Sequence, residues 1–527
     1  MGELFMKLLI HLFQHLIPVS LIGAFGLIFI SSTLPTQTNR IDGFGVDLVG
    51  APPLTMESVD SQLNAIQQSG SKYVRIEMNW SMIESSPDVY NWSASVPLDL
   101  FFTSAKAREI KAVAVVTGGP LYLTSNGGAL DQKSLGERWS KFIQAAVDHF
   151  GEQVDIWEIG YQVNSTNGMS SFLTPASPQA FIQPDPIFFS KLLRSASKII
   201  KNADPNNEVW MGSLVSATAG NCAMNPLTFV LEINGAKGWN SINALSYQPK
   251  RGGAAPELPS TSGVNPACGS ALPVDPGNLS TEVQALQELA RQLGGKPVYI
   301  TGLSWNQEEL IRLQSNRTIE IGLVEADMLV RGSVMLMAKN LIPLIFWQAD
   351  LPNQPSARIA LTNLGSVIDN AKSIGQAQGQ SGAVHEYRFQ KGADIKVVAW
   401  RTQDGDTPQP VNLGGLAPGQ LMAFPINVGS LSNGLGTPIA VDATGNAIVM
   451  LNERPVLFLG KLGSWENQLQ SSMSDRLDIW KNEIQKTVKH LLNDQKAAFL
   501  RMLENLFNQA KESAVDWGEQ KIDELLN

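Results

Sequence analysis

The stretch VDIWEIGYQVN, residues 154–164, opens as an apolar run and ends in a polar cluster. A short, nearly continuous apolar run reads as a strand buried on both faces, which is the condition of strands in parallel sheets. The segments on either side, SLGERWSKFIQAAVDHFG (134–151) and FFSKLLRSASKIIKNA (188–203), carry apolar residues every three or four positions. That spacing gives an amphipathic helix. Helix, buried strand, helix is the repeat of a parallel βα fold, and the polar cluster marks the strand end where such folds place their chemistry.

The same repeat extends outward in both directions. Strands are expected at GFGVDL (43–48), YVRIEMNW (73–80), KAVAVVTGG (111–119), VDIWEIGYQ (154–162), EVWMGSLV (208–215), INALSYQP (242–249), PVYITGLSW (297–305) and IPLIFWQAD (342–350). Helical patterns such as MESVDSQLNAIQQSG (56–70), STEVQALQELARQLG (280–294) and IGLVEADMLVRGSVMLMAKNL (321–341) lie between them. Eight such units predict a closed (β/α)8 barrel over residues 41–378. An open doubly wound sheet is the rival, and no Gly-rich phosphate turn follows the first strand to support it. Beyond residue 378 the pattern becomes alternating strands broken by Gly, Pro and Asn, as in VHEYRFQKG (384–392) and NAIVMLNERPVLFLG (446–460), which predicts an antiparallel β-sandwich over 379–463. Residues 464–527 contain no proline and place Leu469, Met473, Leu477, Trp480, Ile484, Val488 and Leu491 at helical spacing, so a long amphipathic tail is expected there. Its apolar stripe suits a protein partner or a second copy of the chain better than an anionic lipid surface.

A net charge of −9 with no Lys/Arg block excludes a nucleic-acid surface, whose affinity rests on neutralising phosphates. With 43% hydrophobic and 17% charged residues the chain is globular. MKLLIHLFQHLIPVSLIGAFGLIFISSTLP (6–35) is long enough to meet a membrane, and residues 1–40 are expected to form an uncleaved anchor in preference to a signal peptide, because IFISSTLP is a mediocre cleavage site. Cys222 and Cys268 sit in loop-like stretches without the Cys/His spacing of a zinc site. A disulfide between the loops after the fifth and sixth strands is expected, in an extracytoplasmic compartment, with two unpaired thiols as the alternative. No metal or cofactor is expected.

The barrel resembles the clan A retaining glycoside hydrolases, the group that includes β-xylosidases, α-L-iduronidases and cellulases. KYVRIEMNWSMIESSPDVYNW (72–92) is similar to their second-strand passage, matching it at Arg75, Trp80, Glu84, Pro87, Tyr90 and Trp92. WEIGYQVN (157–164) is similar to a fourth-strand passage that ends in Asn and then the acid/base Glu; here those positions are Tyr161 and Gln162. KPVYITGLSW (296–305) is similar to the seventh strand, with Gly302 where the nucleophile Glu belongs, and NALSYQPK (243–250) places Gln248 at a common His.

If that alignment holds, catalysis lacks its reagents. Retention needs two carboxyl groups about 5 Å apart, one to protonate the leaving oxygen and one to attack the anomeric carbon. An amide does not titrate near neutral pH and glycine has no side chain to attack with. Together with the N-terminal segment and the cysteines, the resemblance leads to the expectation of a membrane-anchored, extracytoplasmic pseudo-glycosidase that binds or scaffolds a glycan, with Arg75, Trp80, Tyr161, Gln162, Gln248, Trp305 and Trp347 as its sugar-facing residues. Aromatic side chains stack on sugar rings by offering flat apolar faces; packing at the barrel mouth is the alternative for each. Two rivals stand beside this reading: an active hydrolase with displaced carboxylates among Glu77, Glu308, Glu309 and Asp350, and a structural subunit of a membrane complex working through its anchor and tail. Glu158, four residues before Gln162, lies about 13 Å deeper along the strand and is expected to be a buried, paired carboxylate.

Overall fold

A computed structural model describes residues 42–463, apart from 51–53, 95, 121, 123–131, 167, 169–183, 217–222, 261–276, 306, 314–319, 369–370, 379–382, 403–406, 430 and 432–435. The expected anchor within 1–40, the Cys222–Cys268 bridge and the helical tail 464–527 lie outside the described residues. Among the described residues, no helix is long and apolar enough to cross a membrane.

The eight expected strands form, each within the run that predicts it: β1 (Gly43–Asp47), β2 (Tyr73–Asn79), β3 (Lys111–Thr117), β4 (Ile156–Ile159), β5 (Glu208–Val215), β6 (Ala244–Gln248), β7 (Val298–Leu303) and β8 (Leu344–Trp347). Every neighbouring pair is parallel, and β1 closes the barrel on β8 through Gly43↔Leu344 and Val46↔Trp347. The helices that follow these strands are α1 (Met56–Gln68), α2 (Leu98–Ala107), α3 (Gln132–Phe150), α4 (Pro186–Ala203), α5 (Pro226–Gly235), α6 (Leu279–Gln292), α7 (Ile321–Ala338) and α8 (Pro355–Ile368).

Local chemistry sets where these helices begin. Asp185 caps α4 by accepting the Phe188 amide at 2.8 Å, with Pro186 supplying a preset φ in the first turn. Asn278 caps α6 through the Thr281 amide at 3.0 Å. The face of α4 carrying Phe188, Phe189, Leu192, Leu193, Ala196 and Ile200 is buried.

Inside the barrel the side chains stack in layers, as the closed geometry requires. The lowest layer is aromatic: Trp210 packs on Tyr299 (ring centroids 4.8 Å apart) and edge-on to Phe346, which meets Tyr73. Gly45 makes room for it, since a Cβ there would stand 2.5 Å from the Phe346 ring. Above lies an ionic layer. Arg75 donates through Nε and Nη2 to both oxygens of Glu158 at 2.9 and 2.8 Å, and its Nη1 stands 2.6 Å from Asp47 Oδ1 and donates to the Thr301 carbonyl. Glu158 is thus the paired, buried carboxylate that its depth predicts.

The C-terminal strands are β9 (Lys372–Gln378), β10 (Val384–Lys391), β11 (Asp394–Arg401), β12 (Gln409–Leu413), β13 (Gly419–Pro425), β14 (Thr437–Val441), β15 (Ala447–Leu451) and β16 (Val456–Lys461). They build a six-stranded antiparallel sheet, ordered β9-β10-β11-β16-β13-β14, and a two-stranded sheet of β12 and β15. Ile395, Val397 and Phe458 of the first sheet meet Leu413, Val449 and Leu451 of the second in one core. Strand β9 pairs with β10 although it falls in the stretch read as barrel. KSIGQAQ has one large apolar residue and a glycine at φ +103°, so it shows no alternation to read.

Helix α7 is buried almost all round, because the barrel wall covers one side and the β-sheets cover the other. Its charges close the junction. Arg331 makes a two-pronged ion pair with Glu257 (2.7 Å for each prong), whose Oε1 also accepts the Trp400 indole N–H. Asp327 accepts from Asn427 at 2.5 Å and from Arg454 at 3.2 Å.

Candidate functional site

The strand ends above the ionic layer carry an amide-rich floor. Just past β4 the chain turns through Gly160 (φ +89°), and Gln162 takes a left-handed φ of +49°, unusual for a residue with a side chain. Two groups hold that turn. The Gln162 amide donates to Ser213 Oγ at 3.1 Å, and the buried Asn164 donates to the Val215 and Met224 carbonyls at 2.9 and 2.7 Å and accepts the Val215 amide at 2.8 Å. Asn164, part of the resemblance, is thereby a staple between the ends of β4 and β5.

Gln162 Nε2 donates to Gln248 Oε1 at 3.2 Å, and Tyr161 neighbours the Gln248 side chain. Burial, reinforced by the Asp47 charge, pushes the Tyr161 phenol well above its ordinary range. Gln248 is wholly buried, and its Nε2 and the Oδ2 of Asp47 have no hydrogen-bond partner. Both atoms face Gly302. There β7 bulges: Ile345 pairs with Ile300 and Trp347 with Leu303, so Thr301 and Gly302 together oppose Phe346. A Cβ on Gly302 would lie 2.7 Å from Gln248 Nε2, 2.9 Å from its Cδ and 3.0 Å from Asp47 Oδ2. The Gln248 side chain therefore fills the space through which any longer side chain at 302 would rise. Tyr161, Gln162, Gln248 and Gly302 are brought together, with Arg75 directly beneath.

The three tryptophans are not at this site, which corrects the expectation that they face a sugar. Trp80 begins a short helix (Trp80–Ile83) capped by Asn79, and its ring stacks on Phe142 outside the barrel wall (5.2 Å) with the indole N–H on Glu84. Trp347 lies on the same outward face as its register partner Val46 and donates to Ser333 Oγ of α7 at 2.8 Å. Trp305 donates to the Ala254 carbonyl at 2.8 Å and packs near Gly332. All three are buried, so none offers a face to a ligand.

The proposed substitute carboxylates have separate local surroundings. Glu77 accepts from Thr117 Oγ1 (2.5 Å) and Asn79 Nδ2 (3.3 Å) at the mouth. Glu309 holds the Gly253 amide at 2.8 Å, Asp350 accepts from Asn353 Nδ2 at 2.8 Å before α8, and Glu308 is exposed on the short helix Gln307–Leu313.

Two ionisable groups at the mouth escape a reading based on resemblance. Asp47 ends β1, and burial, opposed by Arg75, raises its carboxyl to about 6. Lys250 lies two residues past Gln248, and burial lowers its pKa. In the sequence Asp47 is the one charged residue of the GFGVDL run, whereas Lys250 adjoins Arg251 and carries no such mark.

No family model matches the chain, and no curated protein matches it. Solved structures do. A family 39 glycoside hydrolase from Bacteroides cellulosilyticus WH2 superposes with a TM-score of 0.58 at 16% identity, over 79% of this chain and 80% of that one. The barrel has the fold of the clan A glycoside hydrolases. A GH30 endoxylanase from Clostridium papyrosolvens C71 (TM-score 0.49, 12% identity, 80% and 97% covered) and a family 5 glycoside hydrolase from Bacteroides vulgatus ATCC 8482 (0.49, 10%, 80% and 90%) are also similar. At these identities the likeness is one of fold.

Proposed function

We propose that this protein is a glycan-binding pseudo-glycosidase, held on the extracytoplasmic side of a membrane by its first 40 residues. The observation that carries the reading is the cluster at Gly302. The positions that the resemblance assigns to acid/base and nucleophile hold an amide and a glycine, and the Gln248 side chain occupies the space beside that glycine. An amide cluster still donates and accepts hydrogen bonds to hydroxyl groups, so binding without hydrolysis is what this chemistry supports. The sugar-facing groups are then Tyr161, Gln162, Glu77, Asn79, Lys250 and Gln348, which rim the mouth, in place of the tryptophans.

The test is a glycan array on the detergent-solubilised full-length protein, run beside hydrolysis assays on aryl glycosides and polysaccharides. Binding that Gln162→Ala weakens, with hydrolysis at background, is expected. Turnover abolished by replacing Glu77, Glu308, Glu309 or Asp350 would establish a displaced-carboxylate hydrolase instead. Retention of no glycan at all, together with stable co-purification of integral membrane proteins, would favour a structural subunit. Intact mass should show the first residues still attached; a mature N-terminus near Thr33 would remove the anchor from the proposal.

A further inference from the structure

Among the described residues, Lys250 is a half-buried cation at the barrel mouth without a partner carboxylate. The fully buried cations are matched: Arg75 with Asp47 and Glu158, Arg251 with Glu282, Arg331 with Glu257. Among the described residues, Lys250 Nζ forms no ion pair, and its hydrogen bond is a long one, 3.4 Å to Gln348 Oε1. That oxygen already accepts from Ser304 Oγ at 3.0 Å, while Gln348 Nε2 is tied to the Val49 carbonyl at 3.0 Å, so the amide is fixed and cannot turn to serve the ammonium better. The backbone is fixed as well, by the Lys250 amide on Ser216 Oγ at 2.8 Å and a bridge to Ser304.

An ammonium drawn out of water without a counter-charge favours its neutral form, and an amine so placed is a nucleophile. Burial lowers the Lys250 pKa, with the Asp47 charge opposing and the Arg75 charge adding. A bound anion is the other way to settle a lone ammonium. Asp47 argues against it, because its carboxylate is the charge that acts on Lys250 and its Oδ2 is unpartnered, so an arriving anion would meet like charge. A neutral carbonyl would not.

We propose that Lys250 is an amine nucleophile that forms an imine with an aldehyde or ketone, such as the open-chain carbonyl of a reducing sugar, at the mouth of the barrel. The ammonium gives a proton to solvent water, and the free amine attacks the carbonyl carbon. The carbonyl π pair moves to oxygen, which takes up the proton that the attacking nitrogen sheds, giving a carbinolamine. A proton from water returns to that hydroxyl, the C–O bond breaks, and water leaves. Ammonium plus carbonyl has become iminium plus water, with no oxidant or reductant used. The inference goes beyond glycan binding and its test does not use glycan affinity.

The full-length protein is treated with glycolaldehyde and cyanoborohydride at pH 7, and hydroxyethyl-lysine is quantified peptide by peptide. Lys250 should be modified faster than the exposed Lys133, Lys191 and Lys198, because burial leaves it a larger share of neutral amine at pH 7. Its rate should reach a plateau at lower pH than theirs, and Asp47→Asn, which removes the charge opposing the shift, should move that plateau lower still. Modification of Lys250 no faster than that of the exposed lysines would overturn the proposal. So would selective suppression of Lys250 labelling by sulfate, which would mark the ammonium as an anion subsite.

Discussion

Gly302→Ala adds a single methyl group, and its cost can be worked from the geometry. The new carbon would meet Gln248 Nε2 at 2.7 Å, its Cδ at 2.9 Å and Asp47 Oδ2 at 3.0 Å, all inside normal contact. Gly302 is not at a positive φ, so the backbone itself tolerates alanine. Gln248 must move, and it is wholly buried with its Oε1 held by Gln162. Overpacking of this kind costs about 1–3 kcal/mol. The assay is a double-mutant cycle with Gln248→Ala, read by urea unfolding through tryptophan fluorescence. Gly302→Ala should cost about 2 kcal/mol in the native background and less than about 0.5 kcal/mol beside Gln248→Ala, a coupling in the range expected of residues in contact. Equal costs in the two backgrounds would refute the reasoning that Gln248 has taken over this space. The same argument bears on restored catalysis: Gln162→Glu with Gly302→Glu should stay inactive until Gln248 is also shortened.

Asp327 is kept protonated by burial, opposed by Arg454, up to about pH 7 against an ordinary 3.8. A raised carboxyl pKa contributes stability that is complete below pH 3.8 and lost as pH rises through 7, roughly 4 kcal/mol in all. Asp327→Asn should flatten that part of the stability profile between pH 4 and 8, and an unchanged slope would count against it. Arg331→Met would leave Glu257 buried without its two-pronged partner, and about 3–5 kcal/mol of stability should go, seen as early protease cleavage in the C-terminal sheets. Asn164→Ala removes two hydrogen bonds to the end of β5 and one to Met224 ahead of α5, and should cost about 2–4 kcal/mol in thermal or urea unfolding.

The barrel was legible because each strand is a compact apolar run and each helix shows its own period, two signals that tertiary context does not disturb. Side-chain direction was not. Trp347 and Trp80 look like mouth residues because they close strands, yet Trp347 falls on the outward phase and Trp80 is turned aside by the Asn79 cap. The bulge at Thr301–Gly302 shifts the phase within β7, which no pattern of alternation announces. At the site, Gln162, Tyr161, Gln248 and Gly302 were found because a resemblance pointed to their positions, whereas Asp47 and Lys250 match no motif and show their character only when burial and partners are known. Strand β9 was missed because its sheet supplies the pattern that KSIGQAQ lacks.

Helix α7 has two inner faces, and they are not completed at the same time during synthesis. Its barrel side finds its neighbours as soon as β7 and β8 are made, and Arg331 already has Glu257, but Asp327 waits for Asn427 and Arg454 and the Arg331 guanidinium waits for the Trp400 ring. From Ala338 to Lys461, the end of β16, is 123 residues (461 − 338), which at about 5–20 residues per second takes a ribosome about 6–25 s. For that interval the nascent barrel presents a helix whose outer apolar face and Asp327 are unmatched, a surface on which a chaperone or another nascent chain can settle before the sheets arrive to cover it.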